Sequence, residues 1–342
     1  MKIDTVKVTL PLKKTFAVSQ GAAESKTNVL VILNNRYNGE AATSVFYGPS
    51  VEELVADIRK GVEKLNELES LDVGALEAIS TFDISPVAKS ALVAMVLNYL
   101  SGETNRYPWE ILDLGTPVGI RNSFTIALDD PEKMLAAIKE CEQPIVKIKM
   151  GGEHDAEILH GLEAVEGKEI RVDANGGWTP DKAEEMIFHL SRMGIKIIEQ
   201  PTATEHVKDW PHLKGKQDDV ILILDEGLNT LEDYKQFAES VDGVNIKMEK
   251  SGGIIEGAKI AKAAREEGKK VMLGCMIESS VGIAQSVYMS SLADYHDLDA
   301  PQLLQTDIAR GLKYHRNTIE VDREIIGGPK LIRDVVERLI QS

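Results

Sequence analysis

Residues 144–152 read PIVKIKMGG. Ile145, Val146, Ile148 and Met150 make an apolar run of strand length, and Lys147 and Lys149 interrupt it at alternate positions. Side chains alternate along a strand, so the two lysines share one face and Ile148 takes the other. Taken alone, the run would also suit a solvated edge strand. Its neighbours decide otherwise. SFTIAL, EIRVDAN, IKIIEQP, VILILDE, GVNIKME, KVMLGCM and the region near DLDAP are similar short apolar runs. Between them lie helix-patterned stretches such as PEKMLAAIKECE, PDKAEEMIFHLSRM and GIIEGAKIAKAAREEG. Nearly continuous apolar strands separated by helices indicate parallel strands covered on both faces. Lys149, Asp173, Glu199, Asp225 and Lys247 end five of the runs, spaced by 24, 26, 26 and 22 residues, about one β/α unit each. About eight such units predict a (β/α)-type TIM barrel, in which strand C-terminal ends gather at one mouth. A doubly wound open sheet is the competing architecture, but it would not bring five strand ends together.

Upstream the texture differs. KIDTVKVTL and TNVLVIL read as strands, NNRYNGE as a turn, and AVSQGAAESK at 17–26 as a loop. From Ser50, a plausible N-cap, SVEELVADIRKGVEKL reads as a helix. The expected organisation is an α+β capping domain over 1–112, a barrel over 113–311, and a C-terminal segment, 312–342, that returns to the cap and completes it.

The chain has 342 residues, 43% hydrophobic and 27% charged, with net charge −16. That composition suits a soluble protein with a large core and argues against a cationic surface for nucleic acid or anionic lipid. Cys141 and Cys275 are the only cysteines and form no metal-knuckle spacing. MKIDTVKVTLPLKKTF lacks the pattern of a signal peptide, and SALVAMVLNYL is too short to cross a bilayer. A cytoplasmic protein is expected, with neither nucleic acid nor membrane as a partner.

Three carboxylates at one barrel mouth, Asp173, Glu199 and Asp225, would repel one another strongly. Any one alone could be a helix N-cap or first-turn acid. Three in successive units need a cation, and hard oxygen ligands favour Mg²⁺ or Mn²⁺. Two ammonium groups as close as Lys147 and Lys149 should disfavour double protonation, lowering the pKa of at least one toward that of a general base. Lys247 ends a strand on the far side of the carboxylates, which puts one amine on each side of a metal-bound substrate. A chelated carboxylate has an acidified α-carbon, and loss of its proton gives an enediolate. Proton return to the opposite face is racemisation or epimerisation. Expulsion of a β-leaving group would instead be dehydration.

The motifs KIK (147–149), DAN (173–175), EQP (199–201), DE (225–226), NIKMEKSGG (245–253) and MIESSVG (276–282) stand in the order of the muconate-lactonising subgroup of the enolase superfamily, which the chain resembles over its whole length. A lysine or histidine base working with Mg²⁺ is a known property of that superfamily and is not inferred from spacing. The resemblance implies that Asp173, Glu199 and Asp225 hold one Mg²⁺ per subunit. It also implies that Lys149 and Lys247 are the catalytic acid/base pair of a 1,1-proton transfer and Lys147 an electrostatic helper at the substrate. Asn175 and Glu226, inside the matched motifs, would support the metal ligands, and Met276 and Glu278 would line the substrate site. DLD at 297–299 resembles the Asp-x-Asp feature of dipeptide epimerases, in which Asp297 and Asp299 would hold the substrate's ammonium group. Period two also predicts one face for the pair, and a capping pair before APQLL is the structural alternative.

The resemblance therefore implies a dipeptide substrate and inversion of its C-terminal α-carbon, with o-succinylbenzoate synthase or a cycloisomerase as the alternative. A homo-oligomer is expected. Segment 17–26 resembles a mobile specificity loop over the barrel mouth, with Gln20 toward the substrate. Some relatives specific for Ala-Glu use an arginine there; either Lys26 replaces it here or the preferred side chain is not acidic. Val93 stands where the family usually has an acid. The glycines of SGGIIEGAKIA lack the spacing of a nucleotide-binding loop and are expected to let a substrate carboxylate approach Lys247. His296 is expected in a loop.

Overall fold

The computed structural model describes residues 2–18, 21–42 and 48–340. Strands β1 (Ile3–Val18) and β2 (Gly21–Leu33) form a long antiparallel hairpin, and β3 (Tyr37–Ala41) pairs with β2. The β2–β3 turn puts Asn34 and Asn35 at φ 52° and 56°, a conformation asparagine tolerates. Most of segment 17–26, expected as a loop, is strand: Ala17 pairs with Ala22, and Leu10 with Lys26. Its small and polar side chains carry no apolar alternation, but the ladder is made by backbone groups that any side chain permits.

Helix α1 (Val51–Asn66) starts at Ser50, whose side chain and that of Glu53 cap each other's backbone N–H groups. After α2 (Val73–Ser80) comes α3 (Pro86–Thr104), buried on every side. A helix apolar all round needs cover all round, and α3 packs against β3, α1, α2 and a barrel loop. The short α4 (Pro108–Ile111) and β4 (Ile120–Arg121) lead into the barrel.

Eight parallel strands follow: β5 (Phe124–Ile126), β6 (Ile145–Lys149), β7 (Glu169–Asp173), β8 (Ile197–Glu199), β9 (Ile221–Leu224), β10 (Gly243–Ile246), β11 (Lys270–Leu273) and β12 (Tyr295–His296). They neighbour one another in chain order with no reversal, which removes the doubly wound alternative. The ring closes where Asn122 bridges His296 and the Ser123 N–H donates to the His296 carbonyl at 3.1 Å. His296 is thus a strand residue and not part of a loop. Its ring is buried, and desolvation lowers its pKa to about 4.

The outer layer comprises α5 (Pro131–Glu140), α6 (Asp155–Leu162), α7 (Pro180–Arg192), α8 (Trp210–Lys214) and α9 (Leu231–Phe237). It continues with α11 (Ile254–Glu266) and α12 (Ser280–Tyr288), while α10 (Met248–Ser251) is a single turn at the end of β10. Helix α7 shows the rule, burying Ala183, Met186, Ile187 and Leu190 at helical spacing. Inside the ring, Ile197, Ile223 and Met272 form an apolar layer that closes the lower barrel.

After α13 (Ala300–Leu303) the chain leaves the ring. Short pairings follow, β13 (Ala309–Arg310) with β16 (Lys330–Leu331) and β14 (Leu312–His315) with β15 (Thr318–Val321), before α14 (Arg333–Ile340). Val335 and Val336 of α14 share an apolar cluster with Val8 and Leu10 of β1, so the last helix packs against the first strand. Among the described residues, no helix is long and apolar enough to cross a membrane.

Candidate active site at the barrel mouth

Strand register builds the site. Lys149 pairs with Asp173, and Asp173 with Glu199, so three charged residues sit level on adjacent strands. Val244 pairs with Leu224, which puts Asn245 level with Asp225 and Lys247 beyond it. All these side chains are buried, Lys147 and Asp173 almost completely. Lys147 Nζ lies 3.0 Å from Asp173 Oδ2, 2.7 Å from Glu199 Oε2 and 2.7 Å from Asp297 Oδ2. Lys149 donates to Asp173 Oδ2 at 2.6 Å, and Lys247 donates to Asp225 Oδ2 at 2.6 Å. The two lysines therefore stand at opposite ends of the carboxylate row, with Glu199 between.

Each carboxylate divides its oxygens. Asp173 Oδ1 accepts the Asn175 N–H at 2.9 Å, Glu199 Oε1 accepts from Asn245 Nδ2 at 2.8 Å, and Asp225 Oδ1 accepts from Lys250 Nζ at 2.8 Å. The second oxygen of each faces an ammonium group. Asn175 reaches its position through a left-handed backbone, φ 44°, and its amide also donates to Glu226 Oε1 at 3.1 Å. Gln200, at φ 38°, accepts the Asp225 and Glu226 N–H groups on Oε1, each at 2.9 Å.

Electrostatics follow from this crowding. Burial raises carboxylate pKa values, but Lys147 and Lys149 hold Asp173 well below the usual range, and Lys247 and Lys250 do the same for Asp225. Glu199 moves the other way, up to about 8, through burial and the charges of Asp173 and Asp225. Glu226 is raised by burial and then by Asp225. Lys147 departs from expectation. Burial and a second amine nearby would lower its pKa, yet Asp173, Asp297 and Glu199 outweigh them and raise it well above the ordinary lysine value. Lys147 is thereby held in its charged form.

Asp297 and Asp299 are close together, but not through strand alternation. β12 ends at His296, and the pair lies in the turn beyond it, where Asp299 (φ −90°, ψ −2°) stands just before α13 without a capping hydrogen bond from its side chain. The turn is held by Asn122 Oδ1, which accepts the Leu298 N–H at 2.7 Å. Asp297 Oδ1 accepts from Ser123 Oγ at 2.7 Å, and Asp299 Oδ2 accepts the Thr125 N–H at 2.6 Å. Lys147 and Ser123 keep Asp297 ionised against burial, whereas burial and the Asp297 charge push Asp299 up to about 7.

The loops carrying the two end lysines are anchored differently. After Lys149, the Gly151 and Gly152 N–H groups donate to Asp155, which also accepts from Trp178 Nε1 at 2.5 Å. After Lys247, Gly252 and Gly253 (φ 87° and 106°) pack on α3: a Cβ on Gly253 would stand 3.1 Å from Val93 Cβ. These glycines let α10 pack closely on α3. Val93 makes part of that dock.

Glu278 is buried, accepts the Met276 N–H at 2.9 Å, and has its pKa raised well above the ordinary value by burial, with Glu249 and Glu40 adding. Met276 is half-buried on the same loop. That loop is gripped from the cap: Glu40 accepts from the Ser279 N–H and hydroxyl and from the Gly282 N–H, and Asn28 donates to the Ile277 carbonyl at 3.0 Å. Lys26, on the same strand face as Asn28, is half-buried, which lowers its pKa. Gln20 lies outside the described residues.

Asn245, Lys250, Ser123, Thr125 and Glu40 were not singled out from sequence. Asn245 alone had a usable signal, two residues before Lys247 on the same strand face. As the lysines now pair with the acids, no three His, Cys, Asp or Glu side chains among the described residues stand together closely enough to hold a metal ion. The donor chemistry nonetheless fits a hard divalent cation: three carboxylate oxygens, each with its partner oxygen pinned elsewhere, face positive charge.

The chain matches the family described as Enolase C-terminal domain-like over residues 132–323. It is 30% identical over 322 residues to the L-Ala-D/L-amino acid epimerase of Maribacter sp., covering 92% of this chain and 94% of that protein. It is 30% identical over 332 residues to the hydrophobic dipeptide epimerase of a Flavobacteria bacterium, covering 91% and 93%. In fold it is similar to the dipeptide epimerase of Cytophaga hutchinsonii solved with Mg and D-Ala-L-Val, at TM-score 0.88 and 23% identity, covering 99% and 98%.

Proposed function

We propose that this chain, which belongs to the enolase C-terminal domain-like family and is an isomerase, epimerises dipeptides at the carbon beside the terminal carboxylate. The observation that carries this reading is the carboxylate row with Lys149 at one end and Lys247 at the other. Asp173, Glu199 and Asp225 would hold one Mg²⁺ per subunit through the oxygens now turned to the lysines. When bound, the ion would draw electron density from the substrate carboxylate and acidify the neighbouring C–H.

Lys149 takes that proton on one side of the carbon, and Lys247 delivers one on the other; in the reverse direction they exchange roles. Either must leave its carboxylate partner and be neutral before it accepts. Lys147 does not share the proton transfer, because three carboxylates keep it charged; it stands as a fixed cation beside the reacting carboxylate. Asp297 and Asp299 hold the substrate's ammonium end. Ser123, Thr125 and Asn122 fix their turn, so the amino terminus and the reacting carbon have a set separation.

The test is a mixed dipeptide library incubated in D₂O with Mg²⁺ and read by mass spectrometry. One deuterium should enter the C-terminal residue, with both epimers recovered. No exchange with any dipeptide, or loss of a leaving group in place of exchange, would refute the reading.

A further inference from the structure

Each of the three acids at the barrel mouth has one oxygen pinned by a donor outside the ring's centre. For Asp173 the donor is a backbone N–H, and for Glu199 it is a neutral amide. For Asp225 it is Lys250, which spans two points: it donates to Oδ1 at 2.8 Å and also to the Asp225 backbone carbonyl. Lys250 lies three residues after Lys247, one turn further along α10, so both ammonium groups reach the same carboxylate from neighbouring positions. Both side chains are about nine-tenths buried, at 9% exposed.

The division of labour is visible in the oxygens. Lys247 takes Oδ2, the oxygen equivalent to those of Asp173 and Glu199 that face Lys147 and Lys149. Lys250 takes the other oxygen and ties it to the same residue's main chain. With Lys250 moored at the main-chain carbonyl, rotation of the Asp225 carboxylate about its side-chain bonds breaks the contact at Oδ1.

We infer that Lys250 is a positioning residue that locks Asp225 with one oxygen turned into the mouth as a ligand for a divalent cation; this rests on the metal role given to Asp225 above. Charge and orientation then pull in opposite directions. Removing a cation beside a metal site strengthens metal binding by charge alone, whereas removing an orienting partner weakens it.

The experiment titrates the full-length protein, without substrate, with Mn²⁺ followed by electron paramagnetic resonance and with Mg²⁺ followed by calorimetry. Lys250→Met should weaken both by about tenfold to a hundredfold. Lys250→Arg, which keeps charged donors, should recover most of the loss, and Lys250→Gln serves should the Met variant not fold. Equal or tighter binding in Lys250→Met or Lys250→Gln overturns the inference and leaves the proposed activity standing. A wild-type protein that binds neither ion overturns the metal role and this inference together.

Discussion

The loops after Lys149 and Lys247 carry matching groups but are fastened to different bodies. The Lys149 loop is held inside the barrel wall, by Asp155 on two glycine N–H groups and on Trp178 of the next loop. The Lys247 loop is held by the cap, through Gly252 and Gly253 on α3 and through Gln285, which joins Ser90 of α3 to the Ile254 N–H. Of the two proposed proton carriers, one is therefore fastened within the barrel wall and the other against α3. Under the proposed two-base mechanism, α-proton exchange from one epimer reports Lys149, and from the other reports Lys247.

The harshest way to break the comparison is to remove either amine. Lys149→Ala and Lys247→Ala should each reduce epimerisation by about 10³-fold or more, while each keeps α-deuterium exchange with one epimer only, and not the same one. If both variants lose exchange with both epimers, the division between two bases fails. A sharper cut is Gly253→Ala. At φ 106°, with Ser90 and Val93 within contact, an added methyl must shift α10 against α3. A displacement of that kind should cost about 10²-fold in exchange by the Lys247 side and much less on the Lys149 side. Trp178→Phe is the reciprocal test. It removes one hydrogen bond to a carboxylate, and about tenfold loss confined to the Lys149 side is expected.

The ammonium end should show a smaller effect. Asp299, with its pKa raised to about 7, is neutral below that pH and loses its attraction for a cationic substrate. KM for a dipeptide should rise severalfold as pH falls from 8 to 6, and Asp299→Asn should abolish that step and hold KM high throughout. The smallest effect is on metal-free stability. Glu199 and Asp299 bind protons more tightly in the folded than in the unfolded chain, so stability is lost as pH rises through about 7 to 8. Melting temperature without metal should fall by a few degrees from pH 6 to 9, and Mg²⁺ should restore more at the higher pH. A flat profile would mean that the lysines already neutralise the site.

The two halves also differ in how much of them can be read from sequence. Lys149, Asp173 and Glu199 each end an apolar strand, and strand register alone puts them side by side. The anchors of the Lys149 loop, Asp155 and Trp178, lie 6 and 29 residues after Lys149. The anchors of the Lys247 side reach back through the whole chain: Gln285 to Ser90 is 195 residues, and Ser279 to Glu40 is 239. No periodicity encodes such a partner. The contact of Gly252 and Gly253 with α3 therefore leaves no mark in SGG itself, and the strand pairing of segment 17–26 is hidden because its ladder uses backbone groups that leave no side-chain pattern.

What the sequence by itself determined is the barrel, its order and the charged residues at its strand ends, because strand alternation, helix period and unit length are local and repeat. Only the tertiary structure decided that Lys147 stays charged, that Asp297 and Asp299 meet through a turn, and that each acid keeps one oxygen for the mouth. Those outcomes depend on which groups ring closure and cap docking bring within hydrogen-bonding distance, and at that range a neighbour's charge outweighs any residue's intrinsic preference.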